Sequence, residues 1–120
     1  MLDSFDGDKR RHPRVDVRFP LQYKELHGTA KSIKGTITKN LSEGGVRFHT
    51  DNFISLACRL VVEVRLPSAS KPIRAISKVA WIKKLPMGEN YEVGNQFLDM
   101  TKEDKVIVSD YVKEIVSTAI

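Results

Sequence analysis

The sequence is poor in the groups from which catalytic centres are built. It has one cysteine, Cys58, so no internal disulfide can form. Cys58 lies among Leu56, Ala57 and Leu60, which gives it the expected role of a small core residue. The three histidines, His12, His27 and His49, are scattered, and none stands at zinc-ligand spacing from a cysteine. Gly-x-Gly-x-x-Gly and P-loop patterns are missing. Ser42 does not form a nucleophile elbow, because Asn40 stands where that motif needs glycine. The expectation is therefore a protein that is not an enzyme and has no metal or cofactor.

Long apolar runs are also lacking. No stretch approaches the roughly 20 residues of a membrane helix. The start, Met1-Leu2-Asp3-Ser4-Phe5-Asp6, is acidic and has no apolar core of a secretory signal. A cytoplasmic location is expected. With 120 residues, 41% hydrophobic and 29% charged, the chain has the size and balance of one globular domain. The net charge of +5 points to an anionic partner. Its densest cluster is Lys9-Arg10-Arg11-His12-Pro13-Arg14.

The predicted organisation is a flexible N-terminus over residues 1–8, a basic arm over 9–14, strands over 15–98 and a helix over 101–118. From Val15 the residues Val15, Val17, Phe19, Leu21 and Tyr23 alternate with polar neighbours, as in a half-buried strand. Pro20 marks an edge or bulge in it. A second strand runs from Ser32 to Asn40, with Ile33, Gly35 and Ile37 sharing a face. A third is Val46–His49. The fourth, Arg59–Leu66, turns Leu60, Val62, Val64 and Leu66 inward. The fifth is Ile73–Lys84, with Trp81 in it, and the sixth is Tyr91–Leu98. After Thr101 the period changes: Ile107, Tyr111 and Ile115, flanked by Val108, Val112 and Val116, mark an amphipathic helix. Thr101 is its expected N-cap, with Asp104 three residues on. Six strands followed by one helix predict a mainly β fold: a six-stranded antiparallel β-barrel with a C-terminal α-helix covering an open end or edge.

Two segments carry candidate binding chemistry. In Arg10-Arg11-His12-Pro13-Arg14 the arginines offer planar forks that can grip phosphate, stack on a base, or bond guanine O6 and N7. In Asn40-Leu41-Ser42-Glu43-Gly44-Gly45 the glycines suit a turn that uses positive φ. Asn40 and Ser42, two positions apart, can face one side and bond a base edge or sugar. Gly45 would let a ring approach the backbone closely.

Arg10-x-x-x-Arg14 before the first strand and Asn40-x-Ser42-x-x-Gly45 between the second and third resemble the two motifs of the PilZ family. Val79-Ala80-Trp81-Ile82 resembles that family's apolar central strand, and Val93-Gly94-Asn95-Gln96-Phe97-Leu98-Asp99-Met100 its last strand. The resemblance covers residues 9 to 118. It implies a receptor for cyclic di-GMP, with Arg10, Arg11 and Arg14 on guanine and phosphate, Asn40 and Ser42 on guanine, and Gly45 shaping the turn. Asn40 is a departure, since aspartate is commoner there and would pair its charge with guanine N–H groups. The implied partners are cyclic di-GMP and a downstream protein, with the chain a monomer or homodimer. Two other readings compete: a ligand-independent adaptor of the same fold in pilus or flagellar machinery, and a basic barrel that binds nucleic acid. Against the latter, Phe19, Tyr23, Phe48 and Phe97 fall on apolar strand faces, which leaves no evident stacking platform.

Overall fold

The structure is a computed structural model that describes residues 12–27 and 32–118. The expected flexible segment 1–8 and the arm residues Arg10 and Arg11 lie outside the described residues.

Among the described residues six strands, β1 (Pro20–Glu25), β2 (Lys34–Leu41), β3 (Gly45–Thr50), β4 (Arg59–Val64), β5 (Ile73–Lys84) and β6 (Tyr91–Met100), precede one helix, α1 (Lys102–Thr118). The strands close into a barrel in the order β1-β2-β3-β6-β5-β4, and every neighbouring pair is antiparallel. Closure satisfies both edges of the sheet, so the helix covers no edge. It packs instead where β5 begins and β6 ends. There Val108 and Val112 join the barrel core, and Tyr111 meets Phe19 edge-on at 5.5 Å between ring centres.

Alternation puts Leu21 and Tyr23 of β1, Val46 and Phe48 of β3, and Leu60, Val62 and Val64 of β4 inside, as the sequence pattern requires. Tyr23 and Phe48 stack at 5.0 Å. Polar groups that come inside pair with one another: the Tyr23 hydroxyl shares a 2.7 Å hydrogen bond with Thr50, and Ser77 Oγ donates to Asn95 Oδ1 at 3.2 Å, while Asn95 Nδ2 is left without a partner. Cys58 is only half-buried, against the rim of this core.

The first predicted strand is broken. Val15 and Leu41 exchange one reciprocal pair of backbone hydrogen bonds at 2.9 and 3.0 Å, and β1 starts only at Pro20. Between them Thr38 replaces a ladder partner. Its hydroxyl donates to Val17 O and accepts from Phe19 N–H, and its own N–H donates to Phe19 O at 2.9 Å, so the segment is held by one residue. The inward phase of Val15, Val17, Leu21 and Tyr23 nevertheless holds.

Ile37 on β2 and Ile33 just before it look outward, and both side chains are more than half exposed. Thr38 takes the interior place. Lys39 is then an extra residue: Thr38 faces Phe48 while Asn40 faces Arg47, so the strand changes phase there. Two more bulges adjust β5 against β6. Ile76 faces Asp99 and Ser77 faces Phe97, which leaves Leu98 extra on β6. Val79 faces Asn95 and Trp81 faces Gly94, which leaves Ala80 extra on β5. The first brings Met100 inward, and the second turns Trp81 out of the barrel phase that Ala75, Ser77 and Val79 share.

Helix α1 starts as its sequence demands. Thr101 Oγ1 accepts the Asp104 N–H at 3.1 Å. Asp104 does not complete a reciprocal capping box. Its carboxylate is buried and accepts the Arg74 N–H at 3.1 Å, just beyond the point where Met100 pairs with Ala75. Asp104 thus fastens the first turn of the helix to β5.

Candidate functional site

The bulge at Lys39 turns Asn40 outward on β2, level with Arg47 on β3. Arg47 is level with Gly94 on β6, and Gly94 with Trp81 on β5. Paired residues share a face of the sheet. Asn40, Arg47, Gly94 and Trp81 therefore form one row across the outside of four strands. In the parallel row, Gly45, Gln96, Lys78 and Arg59 are in register.

The N-terminal segment lies over the first row. The Val15–Leu41 bridge brings Arg14 beside Asn40, and Arg14 Nη1 donates to Asn40 Oδ1 across 3.4 Å, at the long limit of a hydrogen bond. Asn40 is buried as a result. Arg14 and Asn40 are 26 positions apart in sequence, so only the tertiary fold joins the two motifs.

The turn after β2 is held by Ser42. Its N–H donates to Gly45 O at 2.9 Å, and its hydroxyl accepts the N–H groups of Gly44 and Gly45, each at 3.1 Å. The expected use of positive φ at the glycines does not occur; neither Gly44 nor Gly45 adopts it. The serine side chain organises the reversal instead. The glycines answer to space. A Cβ at Gly45 would fall 2.0 Å from the Asn95 carbonyl oxygen, so Gly45 lets β3 and β6 approach. A Cβ at Gly44 would fall 2.9 Å from the His12 ring, which rests on it. The sequence assigned Gly45 to the approach of a ligand ring; what approaches it here is the β6 backbone.

Between the arm, this turn and the β5–β6 surface lies an open groove of about 400 Å³. Arg14 and His12 form one side, Ser42, Gly44 and Gly45 another, and Trp81, Gly94 and Gln96 the floor. Trp81 gives the groove an apolar floor. A larger depression of about 520 Å³, near Tyr23, Thr36 and His49, contains none of the motif residues.

Of the six residues singled out in the sequence, the fold gathers Arg14, Asn40, Ser42 and Gly45 around one groove; Arg10 and Arg11 lie outside the described residues. His12, Arg47, Trp81, Gly94 and Gln96 were not foreseen. The position parity of Trp81 matches that of inward Val79, and no pattern in the chain announces the bulge at Ala80 that turns it out. Gly94 inside a strand was the available signal, since an interior strand glycine marks close approach of another group.

Among the described residues no group of three or more His, Cys, Asp or Glu side chains is placed to hold a metal ion. No described helix is long and apolar enough to cross a membrane.

The family model described as "PilZ domain" matches residues 8–114. No curated protein matches the chain. Among solved structures, the Bacillus subtilis inhibitor of motility MotI/DgrA is similar, with a TM-score of 0.79 and 17% identity over 92% of this chain and 53% of its own. The PilZ domain of Escherichia coli YcgR, solved with cyclic di-GMP, has a TM-score of 0.70 and 15% identity, covering 93% of this chain and 95% of that one. The K. pneumonia MrkH–cyclic di-GMP complex has a TM-score of 0.69 and 19% identity over 93% of this chain and 54% of its own. The chain thus spans about half the length of MotI/DgrA and MrkH. At these identities the likeness is one of fold.

Proposed function

As this chain belongs to the PilZ domain family, we propose that it is a cytoplasmic receptor for cyclic di-GMP. Arg10, Arg11 and Arg14 take guanine and phosphate, Asn40 and Ser42 bond the guanine, and Gly45 supports the turn. The observation that carries this reading is the Arg14–Asn40 hydrogen bond, which joins one residue of each motif beside a groove. The ligand is a compact dianion with two guanine rings. Guanidinium forks suit its phosphates and the O6 and N7 edge of guanine.

Ser42 keeps one role in this reading whether or not ligand is present: it holds the turn, and the ligand shares its hydroxyl. Binding fixes the arm over the groove. The charge-assisted contacts must then offset an ordering entropy of about 1–2 kcal/mol per residue of backbone. A partner protein reads the closed arm.

Calorimetric titration with cyclic di-GMP, with GTP and cyclic GMP as controls, tests the reading. Micromolar or tighter binding is expected, absent with the controls. Arg14→Ala should weaken it at least about tenfold, the value of one charged hydrogen bond. No heat at high ligand concentration would refute the receptor and favour a ligand-independent adaptor. Equal hydrogen-exchange protection of the arm with and without ligand would refute its closure.

A further inference from the structure

Arg47 has no part in either motif, yet it stands in the outward row between Asn40 and Gly94. Its guanidinium carbon lies 5.1 Å from the centre of the Trp81 ring. Gly94, between them, has no side chain, so the indole lies down across β6 toward β3. Glu92, the next outward residue of β6, is shared by two β3 side chains: Oε1 is 3.2 Å from His49 Nε2, and Oε2 is 3.9 Å from Arg47 Nη1. At 3.9 Å Glu92 orients Arg47 by charge without accepting a hydrogen bond from it. Arg47 Nε is shielded from solvent and has no hydrogen-bond partner. A guanidinium carries five N–H donors, and shielded donors without acceptors are unfavourable. The group is thus charged, oriented by Trp81 and Glu92, partly exposed, and has one shielded donor unfilled.

We propose that Arg47 is a further ligand-binding residue of this site, donating to an acceptor oxygen of the bound guanine dinucleotide, and that Glu92 is its positioning residue. The inference rests on the receptor reading and adds a contact that neither motif contains. The acceptor is a phosphate oxygen or guanine O6. Both sources present the same oxygen chemistry, and charge-preserving substitution separates them, since lysine serves phosphate as a point charge but lacks the fork for a base edge.

The test is calorimetry with cyclic di-GMP together with emission from Trp81, the only tryptophan. Arg47→Ala and the length-preserving Arg47→Gln are each expected to weaken binding about tenfold, as for loss of one charged hydrogen bond. Thermal melting of both variants checks the fold. Arg47→Lys binding near wild type identifies phosphate as the acceptor, and Arg47→Lys as weak as Arg47→Ala identifies guanine O6. Glu92→Gln should shift Trp81 emission without ligand, weaken binding about threefold, and do neither in the Arg47→Ala background. An equal Glu92→Gln loss in both backgrounds overturns the positioning role. If the unmodified chain binds and well-folded Arg47→Ala and Arg47→Gln bind within twofold of it, this inference alone is overturned. If the unmodified chain gives no heat, the receptor reading falls and takes this inference with it.

Discussion

Trp81 lies flat across Gly94: a Cβ built on that glycine would fall 2.3 Å from both Nε1 and Cε2 of the indole. The contact exists because Ala80 is an extra residue on β5, which turns Trp81 to the outer face where Gly94 leaves room. Gly94→Ala should lift the indole off β6 and separate it from Arg47. The expected result is a changed Trp81 emission spectrum and a stability loss of about 1–3 kcal/mol from overpacking. An unchanged spectrum would show that the ring does not rest on the glycine.

Two adjacent glycines should respond differently to the same substitution. At Gly45 the added methyl meets the Asn95 backbone carbonyl at 2.0 Å, and a strand must move. Gly45→Ala is expected to cost about 3 kcal/mol, the upper part of the overpacking range. At Gly44 the methyl meets only the exposed His12 ring at 2.9 Å, which can swing aside. Gly44→Ala should cost less than about 1 kcal/mol. Urea midpoints of the two variants measure the difference.

Ser42→Ala should destabilise the chain even without ligand. It removes the acceptor for the N–H groups of Gly44 and Gly45, and the site is buried. A loss of about 1–3 kcal/mol is expected for buried donors left without partners. Chemical denaturation of the ligand-free variant measures it. A ligand-only role would leave that stability unchanged.

Asp104 should matter more to the joint between helix and barrel than to the helix itself. Asp104→Ala leaves the Arg74 N–H without its acceptor, for a cost of about 1–3 kcal/mol. Its mark should be faster hydrogen exchange at Arg74. Thr101→Ala removes only the N-cap, at about 1 kcal/mol, and should leave Arg74 exchange slow.

Alkaline pH should find Tyr23. Burial pushes its phenol above the ordinary value of 10.0, and the hydrogen bond with Thr50 opposes this only in part. Folding therefore favours the neutral phenol. That stabilisation is complete below pH 10 and is lost as pH rises through the raised folded value. Tyr23→Phe should start about 1 kcal/mol less stable at neutral pH, for the lost hydrogen bond. It should then lose less than wild type above pH 10. Thermal melts across that range give the two slopes, and parallel slopes would contradict the assignment.

Much of the architecture was legible in the chain. The alternation of Leu60, Val62, Val64 and Leu66, and the change of period after Thr101, each follow from the requirement that one face of an element be apolar. That requirement is local, so the sequence by itself determined six strands, one helix and most of their inward faces. It also supplied the donors and acceptors of the proposed site, because Arg14, Asn40 and Ser42 carry them wherever they stand. The tertiary structure decided the rest. Whether Asn40 faces in or out, and whether Trp81 is core or groove floor, turns on single extra residues at Lys39 and Ala80. A bulge reverses the face of every residue beyond it, and its place is set by the partner strand, not by the residues that form it. The meeting of Arg14 with Asn40, and of Arg47 with Trp81 across an empty Gly94, likewise exists only once β2, β3, β6 and β5 stand in register.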